Sequence, residues 1–159
     1  MKHIDRAWST ALLALALTFI WMACNKPPTS HGPAQENSID PALIGMWQGS
    51  KVEFTSNEDP TQTVNLIELG ASFVMGFDEN STYQTTINLY GQEISETGFI
   101  ICEGNSFTMQ LSSGDIKSGS YEILADTLKV LVEDQTYDFN YDGTPDPATL
   151  NIEMVKIQD

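Results

Sequence analysis

The segment TYQTTINL, residues 82–89, decides the fold, because its side chains alternate in character at every position. Successive side chains of a β-strand point to opposite faces of the sheet, so a period of two indicates a strand with one buried face. The face predicted to be buried carries Tyr83, Thr85, Ile87 and Leu89. The opposite face is polar throughout, which is typical of a strand between core and solvent.

Segments of the same kind precede and follow this strand, separated by short turns rich in Gly, Asn and Asp. The predicted strands are 45–54, 72–77, 82–89, one that ends at 102, 106–112, 116–124, 127–133 and 149–157, with 64–69 as a short helix or strand. Evenly spaced strands joined by short turns predict an antiparallel up-and-down meander. Closure of the meander removes exposed strand edges. We therefore predict an all-β fold, an antiparallel up-and-down barrel of about eight strands, with an open β-sandwich as the alternative.

The first 23 residues have the features of a secretory signal peptide. Lys2, His3 and Arg6 form a basic start, and residues 11–23 are apolar except for Thr18. This apolar run has 13 residues, whereas a membrane-spanning helix needs about 20. The segment therefore predicts export rather than a spanning helix.

A small residue before a Cys at the end of such a run, here Ala23-Cys24, resembles the lipobox of bacterial lipoproteins. Trp21 departs from the aliphatic residue that the family prefers. The resemblance implies that residues 1–23 are a lipoprotein signal peptide and that Cys24 is lipidated. The lipid would anchor the protein to a membrane of the bacterial cell envelope, more often the outer membrane. Ordinary cleavage after Ala23 and an uncleaved anchor are the alternatives.

Residues 24–43, which begin with Cys24, are predicted to form a flexible linker, because they are rich in Pro, Ser, Gly and Asn. The folded domain is predicted to span residues 44–159. If Cys24 is acylated, Cys102 has no partner for an intrachain disulfide, and we interpret it as a small buried hydrophobic residue.

The charge of the chain excludes several functions. After removal of residues 1–23 the chain has five Lys, no Arg and 21 acidic residues, a formal net charge of −16. Nucleic-acid binding requires clustered cations, so it is excluded as a partner class. Residues 44–159 contain neither His nor Arg, and no Ser nucleophile with a base or Cys/His zinc cluster is recognisable. We therefore predict a protein without enzymatic activity.

Three short motifs resemble those of lipocalins and of bacterial lipocalin-like domains. They are Gly45-x-Trp47 at the start of the first strand, residues 77–83, and residues 119–128. Together with the lipobox they resemble a lipocalin-like lipoprotein of the Bacteroidetes type, which implies a β-barrel. Lipocalins commonly pack an Arg over the motif Trp. Here Lys156 could supply the cation, although the sequence favours a solvent-facing Lys156.

Aromatic and Met side chains of the predicted strands form a candidate ligand pocket, since pockets are mostly apolar. They are Trp47, Phe73, Met75, Phe77, Tyr83, Phe99, Phe107, Met109 and Tyr121. In the alternative interpretation the same residues fill the core, which the small size of the domain favours.

The segment 138–146 resembles the calcium loop of EF-hand and dockerin modules. Oxygen-bearing side chains at its first, third, fifth and ninth positions surround a Gly at the sixth; the candidate ligands are Asp138, Asn140, Asp142, Thr144 and Asp146, with Thr144 acting through its carbonyl. At the twelfth position the chain has Thr149 where a bidentate Glu is expected. The alternative is an Asp-Gly hairpin turn with solvated carboxylates.

These observations predict an exported, lipid-anchored protein of the cell envelope that binds a small apolar ligand or serves as an accessory binding module. The alternative is a structural or interaction lipoprotein with a filled barrel. Its acidic loops would then be presented to a protein, a glycan or Ca²⁺.

Overall fold

The structure, a computed structural model, describes residues 39–157. The predicted signal peptide, Cys24 and most of the predicted linker lie outside the described residues. The described part consists of strands and turns without a helix, so no helix in it is long and apolar enough to cross a membrane. In chain order the strands are β1 (Gly45–Ser56), β2 (Thr63–Asn65), β3 (Ser72–Phe77), β4 (Thr82–Leu89), β5 (Gln92–Glu103), β6 (Ser106–Leu111), β7 (Ile116–Leu124), β8 (Thr127–Tyr137) and β9 (Asp146–Lys156).

The sheet closes because β1 pairs on both of its edges. One edge pairs antiparallel with β9, from Trp47 opposite Lys156 to Ser56 opposite Ala148. The other edge pairs first with β3 and then with the short β2. From β3 to β9 every strand pairs antiparallel with the next in chain order. The predicted barrel is therefore confirmed, with eight strands in the closed sheet and β2 as an extra strand, and the open sandwich is wrong.

In two of the segments that differ from their predicted extents, the difference has a local reason. β8 continues to Tyr137, beyond the predicted end at residue 133, and the register with β9 shifts between Val132 and Gln135. A bulge inserts a residue without ending the strand, but it interrupts the alternation in the sequence. In the segment 64–69 strand pairing ends at Asn65, and the chain then turns, with the Leu69 N–H donating to the Leu66 carbonyl.

Trp47 closes one end of the barrel, where β1 begins. Its side chain is fully buried, and Nε1 donates a hydrogen bond of 2.7 Å to the carbonyl of Leu43. Ile39 and Leu43 are also buried in the core cluster. Within the described residues, side chains therefore already pack into the core before residue 44, the predicted start of the folded domain.

Lys156 covers the outer side of the Trp47 ring. Its ammonium nitrogen lies 5.1 Å from the ring centroid, and it donates to the Ala42 carbonyl at 3.4 Å. This is the position of a cation over an aromatic face. The interpretation of Lys156 as a solvent-facing residue is therefore wrong.

A second contact secures the closed end. The hydroxyl of Tyr121, on β7, lies 3.0 Å from both Asp40 Oδ2 and the Gly104 carbonyl oxygen, its two acceptors. The side chain is buried, and burial together with the hydrogen bond to Asp40 raises the pKa of Tyr121. The contact joins the segment before β1 to the turn between β5 and β6.

Replacement of Tyr121 by Phe tests this contact. We expect Tyr121→Phe to lower the free energy of unfolding by about 1–2 kcal/mol, because it removes the donor from two acceptors at the closed end. Urea denaturation measures the change. Tyr90→Phe is the matched control, since Tyr90 is 62% exposed. Equal midpoints for the two variants would show that the contact contributes nothing.

Candidate ligand-binding site

The two sides of the barrel's other end are covered to different extents. On the side of β1, β8 and β9, Tyr137 stacks on Phe54 at 4.9 Å between ring centroids and meets Phe139 edge-on at 5.0 Å. Val64 and Leu66, from β2 and the turn after it, pack against the same cluster. This side of the barrel end is therefore covered by side chains.

On the side of β4 to β7, inward-facing side chains at the same end are only partly buried. Register identifies them: Ile87 faces the core next to Phe73, and Ile94 is paired with Ile87. Ile94 is nevertheless 45% exposed. We call this region the open mouth, defined by Ile87, Leu89, Ile94, Glu96, Leu111 and Lys117. Solvent reaches the barrel interior on this side.

Two of the residues in the open mouth carry opposite charges. Burial raises the pKa of Glu96, and the nearby positive charge of Lys117 opposes that shift. Within residues 39–157 Glu96 makes no salt bridge. Lys117 Nζ instead donates to the buried amide oxygen of Gln135 at 3.5 Å. Glu96 thus lies in the mouth as a half-buried carboxylate without a direct cationic partner among the described residues.

Two hydroxyl groups lie deeper in the interior beside Glu96. Tyr83 and Thr85 follow each other on the inward face of β4, and Thr85 is the direct cross-strand neighbour of Glu96. Their side chains are only 3% and 8% exposed. Neither hydroxyl has a hydrogen-bond partner within residues 39–157. Because buried polar groups in proteins are nearly always hydrogen-bonded, these two oxygens mark a place where a polar partner is expected.

Most of the predicted pocket residues fill the closed half of the barrel. Trp47, Phe73, Met75, Phe77, Tyr83, Phe107 and Tyr121 are buried in one core cluster, and Met109 packs against it while partly buried. In this half the side chains fill the core, as the alternative interpretation predicts. Phe73, Tyr83 and Met109 are the three that adjoin the open mouth, since Phe73 is paired with Ile87, Met109 with Lys117, and Tyr83 precedes Thr85 on the same face.

Phe99 is the exception, because it faces outward. The inward residues of β5 include Glu96, Gly98 and Ile100, which leaves the Phe99 side chain 59% exposed on the outer surface. Its prediction as part of the inward aromatic face is wrong. The run 99–102 is apolar on both faces of the strand, so its sequence does not reveal the alternation. Cys102 faces inward from the same run and is partly buried against the core.

Phe99 lines a groove of about 650 Å³ on the outer face of the sheet. Met46, Gln84, Thr97 and Gln110 also line the groove. Its lining comes from β1, β3, β4, β5 and β6 and the turns beside them, and it reaches the inward-facing Tyr83 and Leu111. The sequence patterns did not predict it, because residues from five strands form it.

The segment 138–146 forms a turn that is closed by its own carboxylates. Asp138 is buried, and its two carboxylate oxygens accept hydrogen bonds from the backbone N–H groups of Asp142 and Gly143, at 3.2 and 2.8 Å. Asp146, at the other end, accepts from the Phe139 N–H at 3.4 Å. These carboxylate oxygens therefore already accept hydrogen bonds from backbone N–H groups of the turn.

Asp142 and Asn140 continue this pattern. The Asp142 N–H donates to Asn140 Oδ1 at 2.9 Å, and the Thr144 N–H donates to Asp142 Oδ1 at 2.7 Å, which lowers the pKa of Asp142. Within residues 39–157 no three His, Cys, Asp or Glu side chains converge as metal ligands. The predicted calcium ligands are neighbours that are joined to one another by hydrogen bonds within the turn. Calcium binding stays a prediction.

The comparisons with known proteins add little to these observations. No protein-family model matches the chain, and no curated protein matches it. Among solved structures, the crystal structure of Rv2717c from M. tuberculosis is similar at 16% sequence identity and a TM-score of 0.40. The similarity covers 74% of this chain and 94% of that one.

Thermal melts test the turn 138–146. Because hydrogen bonds to the Asp138 and Asp142 carboxylates already hold the turn, and Thr149 stands where calcium loops carry a bidentate Glu, we expect millimolar Ca²⁺ to leave the melting temperature unchanged. Mg²⁺ at the same concentration controls for general ionic effects. A rise with Ca²⁺ in the unmodified protein that is absent in Asp142→Ala would contradict this expectation and establish the calcium site.

Proposed function

We propose that this protein is an exported, lipid-anchored binding protein of the bacterial cell envelope, without catalytic activity. Its barrel takes up a small, largely apolar molecule through the open mouth. The single observation that carries this proposal is the open mouth itself, where inward-facing Ile87, Leu111 and Ile94 remain partly exposed. Inward-facing side chains of the closed half are buried in one core cluster, whereas these three are not.

The apolar lining supports a ligand with a large apolar part. Ile87, Leu89, Met109 and Leu111 face the interior at or beside the mouth and keep part of their surface accessible. Removal of such surface from water favours binding by roughly 25 cal/mol per Å². A small molecule that covers these side chains would gain affinity without a change in the barrel.

The N-terminal sequence supports the anchored location. The lipobox-like Ala23-Cys24 follows a short apolar segment, and the residues up to the barrel are rich in Pro, Ser and Gly. Acyl chains on Cys24 would bind the protein to a membrane. The linker would then hold the open mouth away from the membrane surface.

A second candidate function is an interaction role on the outer surface of the barrel. The observation that favours it is the outer groove, in which the exposed Phe99 ring lies beside the polar side chains of Gln84, Thr97 and Gln110. An exposed aromatic side chain flanked by amide and hydroxyl groups suits contacts with a protein or a glycan. In this case the closed half of the barrel serves as a rigid support.

Blocking the mouth tests the first function. We expect the unmodified protein in phosphatidylcholine nanodiscs to increase the fluorescence of N-phenyl-1-naphthylamine in a saturable way, above that of empty nanodiscs. Leu111→Trp should lower the apparent affinity about tenfold, or about 1.4 kcal/mol, because the larger ring occupies the mouth. Mass spectrometry of the gently extracted protein then identifies any co-purifying apolar molecule.

Ile116→Trp is the matched control, because Ile116 is 66% exposed on the outer face at the start of β7. Its apparent affinity should equal that of the unmodified protein. Equal affinity of the Leu111 and Ile116 variants, or no saturable signal in the unmodified protein, would contradict uptake through the mouth.

Replacement of Cys24 tests the anchor. In bacteria grown with labelled palmitate, we expect the unmodified protein to carry the label and to sediment with membranes. Cys24→Ala should carry no label and leave the membrane fraction, because its thiol is the proposed acylation site. Cys102→Ala should keep the label. Label on the Cys24→Ala protein would exclude this anchor.

A further inference from the structure

The polar groups of the open mouth identify the ligand more closely than its apolar lining does. The hydroxyls of Tyr83 and Thr85 are buried and have no hydrogen-bond partner within residues 39–157. Thr85 is the direct cross-strand neighbour of Glu96, so the side chains of the two residues begin about 5 Å apart. Tyr83 lies on the same face, and the charge of Glu96 contributes to the raised pKa of its phenol. Three oxygen-bearing side chains, two hydroxyls without hydrogen-bond partners and one carboxylate without a salt bridge among the described residues, are thus grouped on β4 and β5.

We propose that this group, Glu96 with the hydroxyls of Tyr83 and Thr85, binds the protonated amine of an amphipathic small molecule. The proposal rests on the proposed uptake through the mouth and specifies the polar part of the ligand. A primary ammonium has three N–H donors and no acceptor. The carboxylate and the two hydroxyl oxygens can each accept one of them, since hydroxyl hydrogens rotate to suit their partner.

Charge favours a cationic ligand over an anionic one. Glu96 makes no salt bridge within residues 39–157, whereas Lys117, the cation of the open mouth, already donates to Gln135. A ligand carboxylate would lie close to Glu96 and lose affinity through repulsion. The formal net charge of the whole chain is −15. A field of this sign attracts cations toward the protein and repels anions.

The side chains around this group indicate the chemical character of the rest of the ligand. Ile87 is adjacent to Thr85 in the inward-facing series of β4, and Leu111 and Met109 face the interior from β6. An ammonium bound at Glu96 would therefore extend its apolar part along these side chains toward solvent at Ile94. The matching ligand class is an amine with a short apolar chain or ring, bound with the charged end innermost.

Isothermal titration calorimetry with three ligands of equal chain length tests the proposal. Hexylamine, hexanol and hexanoate are titrated at pH 7 into the full chain in phosphatidylcholine nanodiscs, with empty nanodiscs subtracted. We expect hexylamine to bind about tenfold more tightly than hexanol, because a charge-assisted hydrogen bond is stronger than a neutral one. Hexanoate should bind more weakly than hexanol.

Variants assign this preference to individual groups. Glu96→Gln should lower the hexylamine affinity to within about twofold of that for hexanol, because it removes the negative charge but keeps the shape. Glu93→Gln is the matched control: Glu93 lies on the outer face of the same strand, and its replacement should keep the preference. Lys117→Gln should strengthen hexylamine binding, because it removes a nearby positive charge.

The variant Thr85→Val distinguishes a loss of ligand binding from a loss of folding stability. It replaces an unpartnered buried hydroxyl by a methyl group, so it should maintain or raise thermal stability while it lowers hexylamine affinity several-fold. Equal binding of hexylamine and hexanol would overturn the proposed amine recognition but leave uptake through the mouth intact. Preferential binding of hexanoate, lost in Lys117→Gln, would overturn it in favour of an anion site. Absence of binding by all three ligands would contradict the proposed function as well.

Discussion

The antiparallel pairing of β1 with β9 is the constraint on which the rest of the molecule depends. It joins the first and last strands of the chain over most of β1, from Trp47 to Ser56. Every other pair of neighbours in the closed sheet except β1 and β3 is joined by a short turn and could form locally. Closing the sheet orders a loop of about a hundred residues, and the entropy cost of such a loop rises only slowly with its length. Closure therefore separates an interior from an outer face at modest additional cost.

The interior is then divided by the way its two ends are covered. At the end where β1 begins, the segment 39–43 packs beneath Trp47 and is secured through Leu43 and Lys156. At the other end, Phe54 and Tyr137 cover the side of β1 and β9, but β4 to β7 have no equivalent cover. The same barrel thus combines a rigid packed half with a half that solvent can enter.

The hydrogen bonding of buried hydroxyl groups differs between the two parts of the barrel in the same way. In the closed half, the Tyr121 hydroxyl finds acceptors from a turn and from the segment before β1. Beside the open mouth, the hydroxyls of Tyr83 and Thr85 have no partner within residues 39–157. Burying a polar group without a partner costs free energy, and proteins retain such groups mainly where a ligand, water or function compensates. The hydroxyls without hydrogen-bond partners therefore lie near the same end of the barrel as the partly exposed apolar side chains.

The sequence by itself determined the strands and their order, because alternation at a period of two is a local property of the chain. It also predicted the barrel, and the boundaries of β3, β4 and β7 agree with the structure. It failed at β8, where a bulge breaks the alternation, and at Phe99, where both strand faces are apolar. Only the tertiary structure decided which inward residues are covered, that Lys156 lies over Trp47, and that Glu96 lies beside two unpartnered hydroxyls. Those relations depend on side chains from strands distant in sequence, which register and closure bring together and no local pattern encodes.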